Sequence, residues 1–350
     1  MVAILALRFP AKMNLLILLI FAGLRAAIAT DITFRNHSCV PTGFSNVCFL
    51  DRISYNPHDQ RVIHRFPANL THVRLGGEVV KFRDFKIQHF DTKLYGMMGK
   101  PRTLEVINLW VRTIQLPRTV QHANFRRNIL DQFEVEPGED APLVTYLHLG
   151  KNWLSNIANL SVLVNLEVLL LQNNHIEHFD HSTMQNLTKL RHLDLTHNFL
   201  TQFSTQVFPK SLTYLSLNSN EIKLLNYDGL YFPPLLTLNL ERNDLPSIDA
   251  SALILAMPKL KMVRFAGNPI DPSEFRLAVQ QFRKHNVSVN GEADEVACLY
   301  KEEVVEGVCV KLAPQRKVIR EILLSLVVVL VAIAMVVTVW WVFVTINKKC

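Results

Sequence analysis

The sequence predicts an α/β solenoid: coils stacked so that one short strand from each joins a parallel β-sheet, expected on the concave side of a horseshoe. Three observations carry this. An apolar register ending in asparagine recurs through the middle of the chain, its spacing is nearly constant, and cysteine pairs flank it at both ends. The composition agrees. Of 350 residues, 49% are hydrophobic and 19% charged, which is too apolar for a disordered chain.

Residues 1–29 read as a secretory signal. Asn14 to Ala22 is an apolar core preceded by Lys12 and followed by Ala27-Ile28-Ala29, so cleavage is expected before Thr30. Met13 is an alternative start, and the apolar core is short for a membrane anchor. Residues 30–65, with Cys39 and Cys48, are the expected N-terminal cap. A solenoid needs such a lid because its end coil has no neighbour to cover it.

Residues 66–270 carry the repeats. The first clear copy places Val144, Leu147, Leu149, Asn152 and Leu154 in register; the last places Leu260, Val263, Phe265, Asn268 and Ile270. Between them lie copies ending at Asn174, Asn198, Asn220 and Asn243, so the asparagines are 22, 24, 22, 23 and 25 residues apart. Motif and period resemble the leucine-rich repeat. In that arrangement the leucines of L-x-L point into the core, while the asparagine is buried and must find backbone partners, because an unpaired buried polar group costs about 1–3 kcal/mol. Phe179, Met184, Phe203, Phe208, Leu225, Leu230, Ile248 and Leu253 are expected to plug the convex side. Upstream the pattern is degraded. Strands are expected at Leu70–Leu75 and at Leu104–Leu109, and a further copy at Val120–Leu130, for eight to nine repeats in all. The step from Leu104 to Val120, 16 residues, is too short for an ordinary coil. Glu134 to Pro142 reads as an acidic convex loop.

Residues 271–311 form the C-terminal cap. Asp271-Pro272-Ser273-Glu274 is a helix start, and Phe275, Ala278, Val279 and Phe282 form an apolar stripe that should seal the last coil. Cys298 and Cys309 also lie here. Two cysteines are early and two late, so Cys39–Cys48 and Cys298–Cys309 are the expected bridges of an oxidising compartment. After a 312–321 linker, Ile322 to Ile346 runs 25 residues without a charge. As a helix it reaches roughly 37 Å, enough for a hydrocarbon layer of about 30 Å. Trp340 and Trp341 suit a membrane interface. Residues 347–350 are the expected cytoplasmic tail, with Cys350 free or palmitoylated.

Together these segments predict a type I single-pass protein of the plasma membrane with an extracellular ectodomain. Lys311, Arg316, Lys317 and Arg320 on the outer flank oppose the positive-inside rule, which a long translocated domain overrides. The bulky, basic stretch before the span does not suit a GPI signal. Sequons at Asn36, Asn69, Asn159, Asn186 and Asn286 predict N-glycans. The formal charge is +7, but Arg8, Lys12, Arg25, Lys348 and Lys349 lie in the leader and tail; removing those five from +7 leaves +2. No Lys/Arg run with interleaved aromatics remains, so nucleic acid is not an expected partner.

The sequence holds no GxSxG, HExxH, CxxC or phosphate-cradling glycine loop, and neither enzyme activity, cofactor nor metal is expected. His175, His178 and His181 with Asp180 are spaced by threes, but they follow a repeat asparagine, where turn and convex loop are expected. His192, Asp194 and Ser216 should lie near one another on the sheet, a polar face of the kind that binds partners. The expected ligand-binding face comprises Tyr146, His148, His192, Asp194, Tyr214, Ser216, Asn239 and Arg264 at outward strand positions, with Arg242 in a following turn. Val168, Leu170, Thr237 and Met262 complete the outward positions, and Lys151, His197 and Glu241 adjoin them. Tyr and Arg are enriched in binding hot spots. Asn159 and Asn186 should lie on the convex or lateral side, leaving the sheet clear.

A leader, a two-Cys cap, 22- to 25-residue repeats and a second two-Cys cap resemble extracellular leucine-rich-repeat proteins. The short Cys39–Cys48 cap, the degraded first repeats and the modest repeat number are similar to the leucine-rich-repeat immune (LRIM) proteins of mosquitoes. The bare transmembrane end resembles their membrane-anchored subgroup. The resemblance implies innate immune recognition of a protein or pathogen-derived ligand, with the chain serving as a receptor or co-receptor. Ala313 to Glu321 is too short for the coiled coil of the soluble members, so the dimerisation that goes with it is not implied. The alternative class is a cell-adhesion or developmental receptor.

Overall fold

The computed structural model describes residues 32–40, 47–50, 53–76, 85–178, 181–203, 208–227, 229, 231–289, 302–305, 308–311, 325–327, 329–331 and 333–335. The chain forms two compact units, Met1–Val144 and Thr145–Cys350.

The first unit pairs β1 (Cys48–Leu50), β2 (His72–Gly76), β3 (Thr103–Ile107) and β4 (His122–Asn124) in parallel. Further parallel pairings join Ile53–Tyr55 with Phe85–Ile87, and Thr113–Leu116 with both His89–Phe90 and Gln132–Val135. Helix α1 (Thr92–Met97) starts where Asp91 accepts the Leu94 N–H. Phe90, Tyr95 and Phe125 are buried between the layers.

Within residues 30–65, the expected cap, β1 joins the sheet. One expectation for this region needs correction: the register of β3 aligns Leu104 with Val73 and Ala123, not Ile107 with them. Leu109 therefore stands in the asparagine position, and the step from Leu104 to Ala123 is 19 residues, short but enough for a coil. The Val120–Leu130 copy is present, and its Asn128 is buried. The acidic loop starts later than expected: Glu134 belongs to a strand, while Glu136 is held by Arg118, whose N–H donates to the Glu136 carboxylate at 3.0 Å. Cys39 and Cys48 are disulfide-bonded. Cys298 lies outside the described residues, and so does the expected bridge to Cys309.

In the second unit six strands follow one another in parallel: β5 (Tyr146–His148), β6 (Val168–Leu170), β7 (His192–Asp194), β8 (Tyr214–Ser216), β9 (Thr237–Asn239) and β10 (Met262–Arg264). The central residues Leu147, Leu169, Leu193, Leu215, Leu238 and Val263 all point inward and are fully buried. Each register step is one repeat, as the periodicity requires.

The asparagines form a spine through this stack. Asn198 donates to the Leu195 carbonyl of its own coil and the Leu171 carbonyl of the coil before, and its Oδ1 accepts the Ile176 N–H at 3.1 Å. Asn174, Asn220, Asn243 and Asn268 repeat the scheme. The residue before each asparagine turns the chain in the left-handed region: Lys151, Asn173, His197, Ser219, Arg242 and Gly267 all have φ between 53° and 69°. Only the last is a glycine.

Among the expected convex plugs, Met184, Phe203, Phe208, Leu225 and Leu253 are buried and Ile248 is half-buried; Phe179 and Leu230 lie outside the described residues. Besides α2 (His181–Gln185) and α3 (Ala250–Ala256), the unit contains α4 (Pro272–Lys284). Its Asp271 cap accepts from Ser273. Phe275 and Phe282 meet Phe265 of the last coil with ring centroids 4.6 and 5.8 Å apart. Beyond it, Ser288 bridges to Met262, and Glu302–Val305 forms an antiparallel hairpin with Val308–Lys311.

Among the described residues no helix is long and apolar enough to cross a membrane. The described parts of the expected span, 325–327, 329–331 and 333–335, are helical and exposed. The expected signal 1–29, the linker 312–321 and the tail 347–350 lie outside the described residues.

Candidate functional site

The solvent face of β5–β10 is built by alternation. With the central leucine of each strand turned inward, the residues on either side turn outward and align across neighbouring strands about 4.8 Å apart. One row runs Tyr146, Val168, His192, Tyr214, Thr237 and Met262; the other runs His148, Leu170, Asp194, Ser216, Asn239 and Arg264.

The centre of this face is a flat aromatic shelf. His192 and Tyr214 stack with ring centroids 4.1 Å apart and planes within 2°. Burial holds the His192 imidazole below its usual pKa, against the opposing pull of Asp194. Burial and then Asp194 push the Tyr214 hydroxyl up, while Ser216 and Arg264 act the other way. The Glu241 carboxyl is also raised by burial, opposed first by Arg264 and then by Arg242. At neutral pH the shelf is thus an uncharged ring pair set among Asp194, Arg264 and Glu241.

Three expected site residues are less available than their outward position suggested. Ser216, Asn239 and His148 are 1%, 6% and 9% exposed. Ser216 shares a hydrogen bond with Thr196 at 2.8 Å, Asn239 accepts the Glu241 N–H, and His148 meets Gln172 at 3.3 Å. They brace the face, and the accessible groups are its neighbours. Tyr146 stands two strands from His192, with Val168 between. Arg242 is exposed on the turn after β9. Asp194 accepts the Thr196 N–H and Ser216 bonds the Thr196 hydroxyl, while His192 stacks on Tyr214, so the three side chains are engaged with other residues.

A third row was not anticipated: Gln172, Thr196 and Asn218, beside Glu241. Carrying the alternation one step past each strand would have found them. In the first unit sequence reasoning also missed Glu105, which binds His72 at 2.7 Å and Arg74 at 2.6 Å across β2 and β3. Among the described residues no group of three or more His, Cys, Asp or Glu is placed to hold a metal. His175 and His178 line a small cavity with Glu177 and Thr183, while Asp180 lies outside the described residues. The sequon residues Asn36, Asn69, Asn159, Asn186 and Asn286 are all exposed. Asn159 sits in a 3-10 turn and Asn186 just after α2, both off the sheet.

Residues 164–222, which contain β6, β7 and β8, match the family model for the leucine rich repeat. This stretch of the chain carries leucine-rich repeats. Podocan from Mus musculus is similar to the chain, 35% identical over 112 residues, or 31% of this chain and 17% of Podocan. The chain thus spans less than a fifth of that curated relative's length.

Proposed function

We propose that this leucine-rich-repeat protein is a cell-surface recognition protein that captures a protein or pathogen-derived ligand in innate immunity, as a receptor or co-receptor and not as an enzyme. The observation that carries the reading is the flat His192–Tyr214 stack, with Asp194 and Arg264 in the adjoining outward row. A prearranged aromatic platform loses little conformational freedom on binding, and opposite charges at its sides orient a partner. Arg264 supplies the fork for a partner's carboxylate and Asp194 the acceptor for a partner's cation.

Membrane attachment is supported by the helical residues 325–327, 329–331 and 333–335, where Leu326, Leu330 and Met335 are 52–64% exposed to solvent. An apolar helix of this kind is suited to lipid. The immune role rests on the likeness to mosquito leucine-rich-repeat immune proteins.

The test is affinity capture with the full chain displayed on cells, comparing wild type with Tyr214→Ala, Arg264→Ala and the α4 surface control Lys284→Ala. Partners captured by wild type and the control should fall about tenfold or more with the first two. Equal capture by all four would refute the sheet face as the binding surface. Induction of the transcript by infection supports the immune role; constant expression in one tissue refutes it.

A further inference from the structure

We infer that the first unit holds a second binding site, a cavity suited to a short acidic saccharide. Its volume is about 910 Å³, and its walls come from residues 54–58, 87–89, 108–110 and 112, with Ile129 completing them. This lies at the upper end of small-molecule sites, about 300–1,000 Å³.

The floor is apolar. Tyr55, Ile87 and Leu109 line it and are 6%, 1% and 4% exposed. Trp110, also in the lining, is 57% exposed. The negative face of an indole suits the weakly positive C–H face of a pyranose ring.

The polar groups are one-sided. Arg112, His58 and His89 are in the lining, and among the described lining residues there is no carboxylate. Two acids stand next to it: Asp91 accepts the Tyr55 hydroxyl at 2.8 Å, and Asp131 is paired with the lining's own Arg112, through Nε at 2.7 Å. That pair orients the guanidinium while the Arg112 side chain stays 65% exposed, so it can still meet an anion. Among the described lining residues a cation finds no countercharge, and a purely apolar ligand would strip water from the polar rim without replacing its hydrogen bonds. The frame is braced: the Arg112 and Thr113 N–H groups both donate to the Gln88 carbonyl, at 2.8 and 3.2 Å. A ring with an apolar face, hydroxyls and a carboxylate satisfies every wall.

The experiment is calorimetric titration of the full chain in detergent with a hyaluronan tetrasaccharide, which carries glucuronates, and with neutral chitotetraose. Saturable binding of the acidic probe is expected, weakened about tenfold or more in Trp110→Ala and unchanged in Trp153→Ala, which alters an exposed tryptophan of the other unit. Arg112→Gln should weaken the acidic probe about fivefold, to the level of chitotetraose. Should that variant unfold, Arg112→Lys keeps the charge and should show a smaller loss. Absence of saturable binding, equal affinity for the two probes, or wild-type affinity in Trp110→Ala would each overturn the assignment. Since the Tyr214 and Arg264 variants lie in the other unit, failure here leaves the sheet-face reading to be judged separately.

Discussion

Asn198 does with one amide what a strand pair does with a ladder: it receives one N–H and gives to two carbonyls on adjacent coils. It is 4% exposed, so nothing in Asn198→Leu would replace those bonds. At about 1–3 kcal/mol per orphaned buried group, the variant should lose about 3 kcal/mol or more in a urea titration; a loss under about 1 kcal/mol would show that the spine is dispensable. His64 offers a second prediction. It is 5% exposed and bonded to His37 at 2.8 Å, and burial, then His37 and Arg35, lower its pKa to about 4. The unfolded chain takes its proton near the ordinary 6.5, the folded chain only near 4, so this contribution is complete above 6.5 and lost as pH falls between those values. The pH dependence of stability across that window should be flatter in His64→Gln; equal slopes would exclude His64 as its source. Nothing in the sequence marks His64, because its environment is made by residues far along the chain.

At the scale of elements, legibility followed the purity of the repeat. From β5 to β10 the leucines and asparagines fall at fixed offsets, and every outward position was readable from alternation alone. Burial was not: Ser216, Asn239 and His148 are small or flanked by long neighbours, and alternation gives direction without depth. The β3 register was misread because Leu109 occupies the position where an asparagine would have marked the turn. The cavity beside it was invisible for the same reason, since its walls come from the irregular coils. Helix α4, by contrast, announced itself by its cap and stripe. Phe282 is fully buried against Phe265, so Phe282→Ala should cost about 3–5 kcal/mol by thermal or denaturant melting. A loss below about 1 kcal/mol would mean the helix is not a seal.

For the molecule as a whole, the reading turns on compartment. Five exposed sequon asparagines and the Cys39–Cys48 bridge suit an oxidising, glycosylating environment. Expressed through a eukaryotic secretory route, the chain should drop in apparent mass on treatment with an N-glycosidase, and Asn159→Gln and Asn186→Gln should each remove one step of that drop. An unshifted band would contradict secretion. The expected leader, span and tail rest on composition alone, because targeting segments are recognised by apolar length and charge rather than by packing.

The asparagine spine has a bearing on how the second unit comes apart. An asparagine's bonds close only when the preceding coil is in place, so peeling a rim coil strips partners from the next in line. Loss should run inward from an unzipped margin, one coil at a time, with no coil in the middle giving way first. On that view the phenylalanine-faced helix at the far margin is a stopper, and its grip on Phe265 sets the threshold at which the unravelling begins.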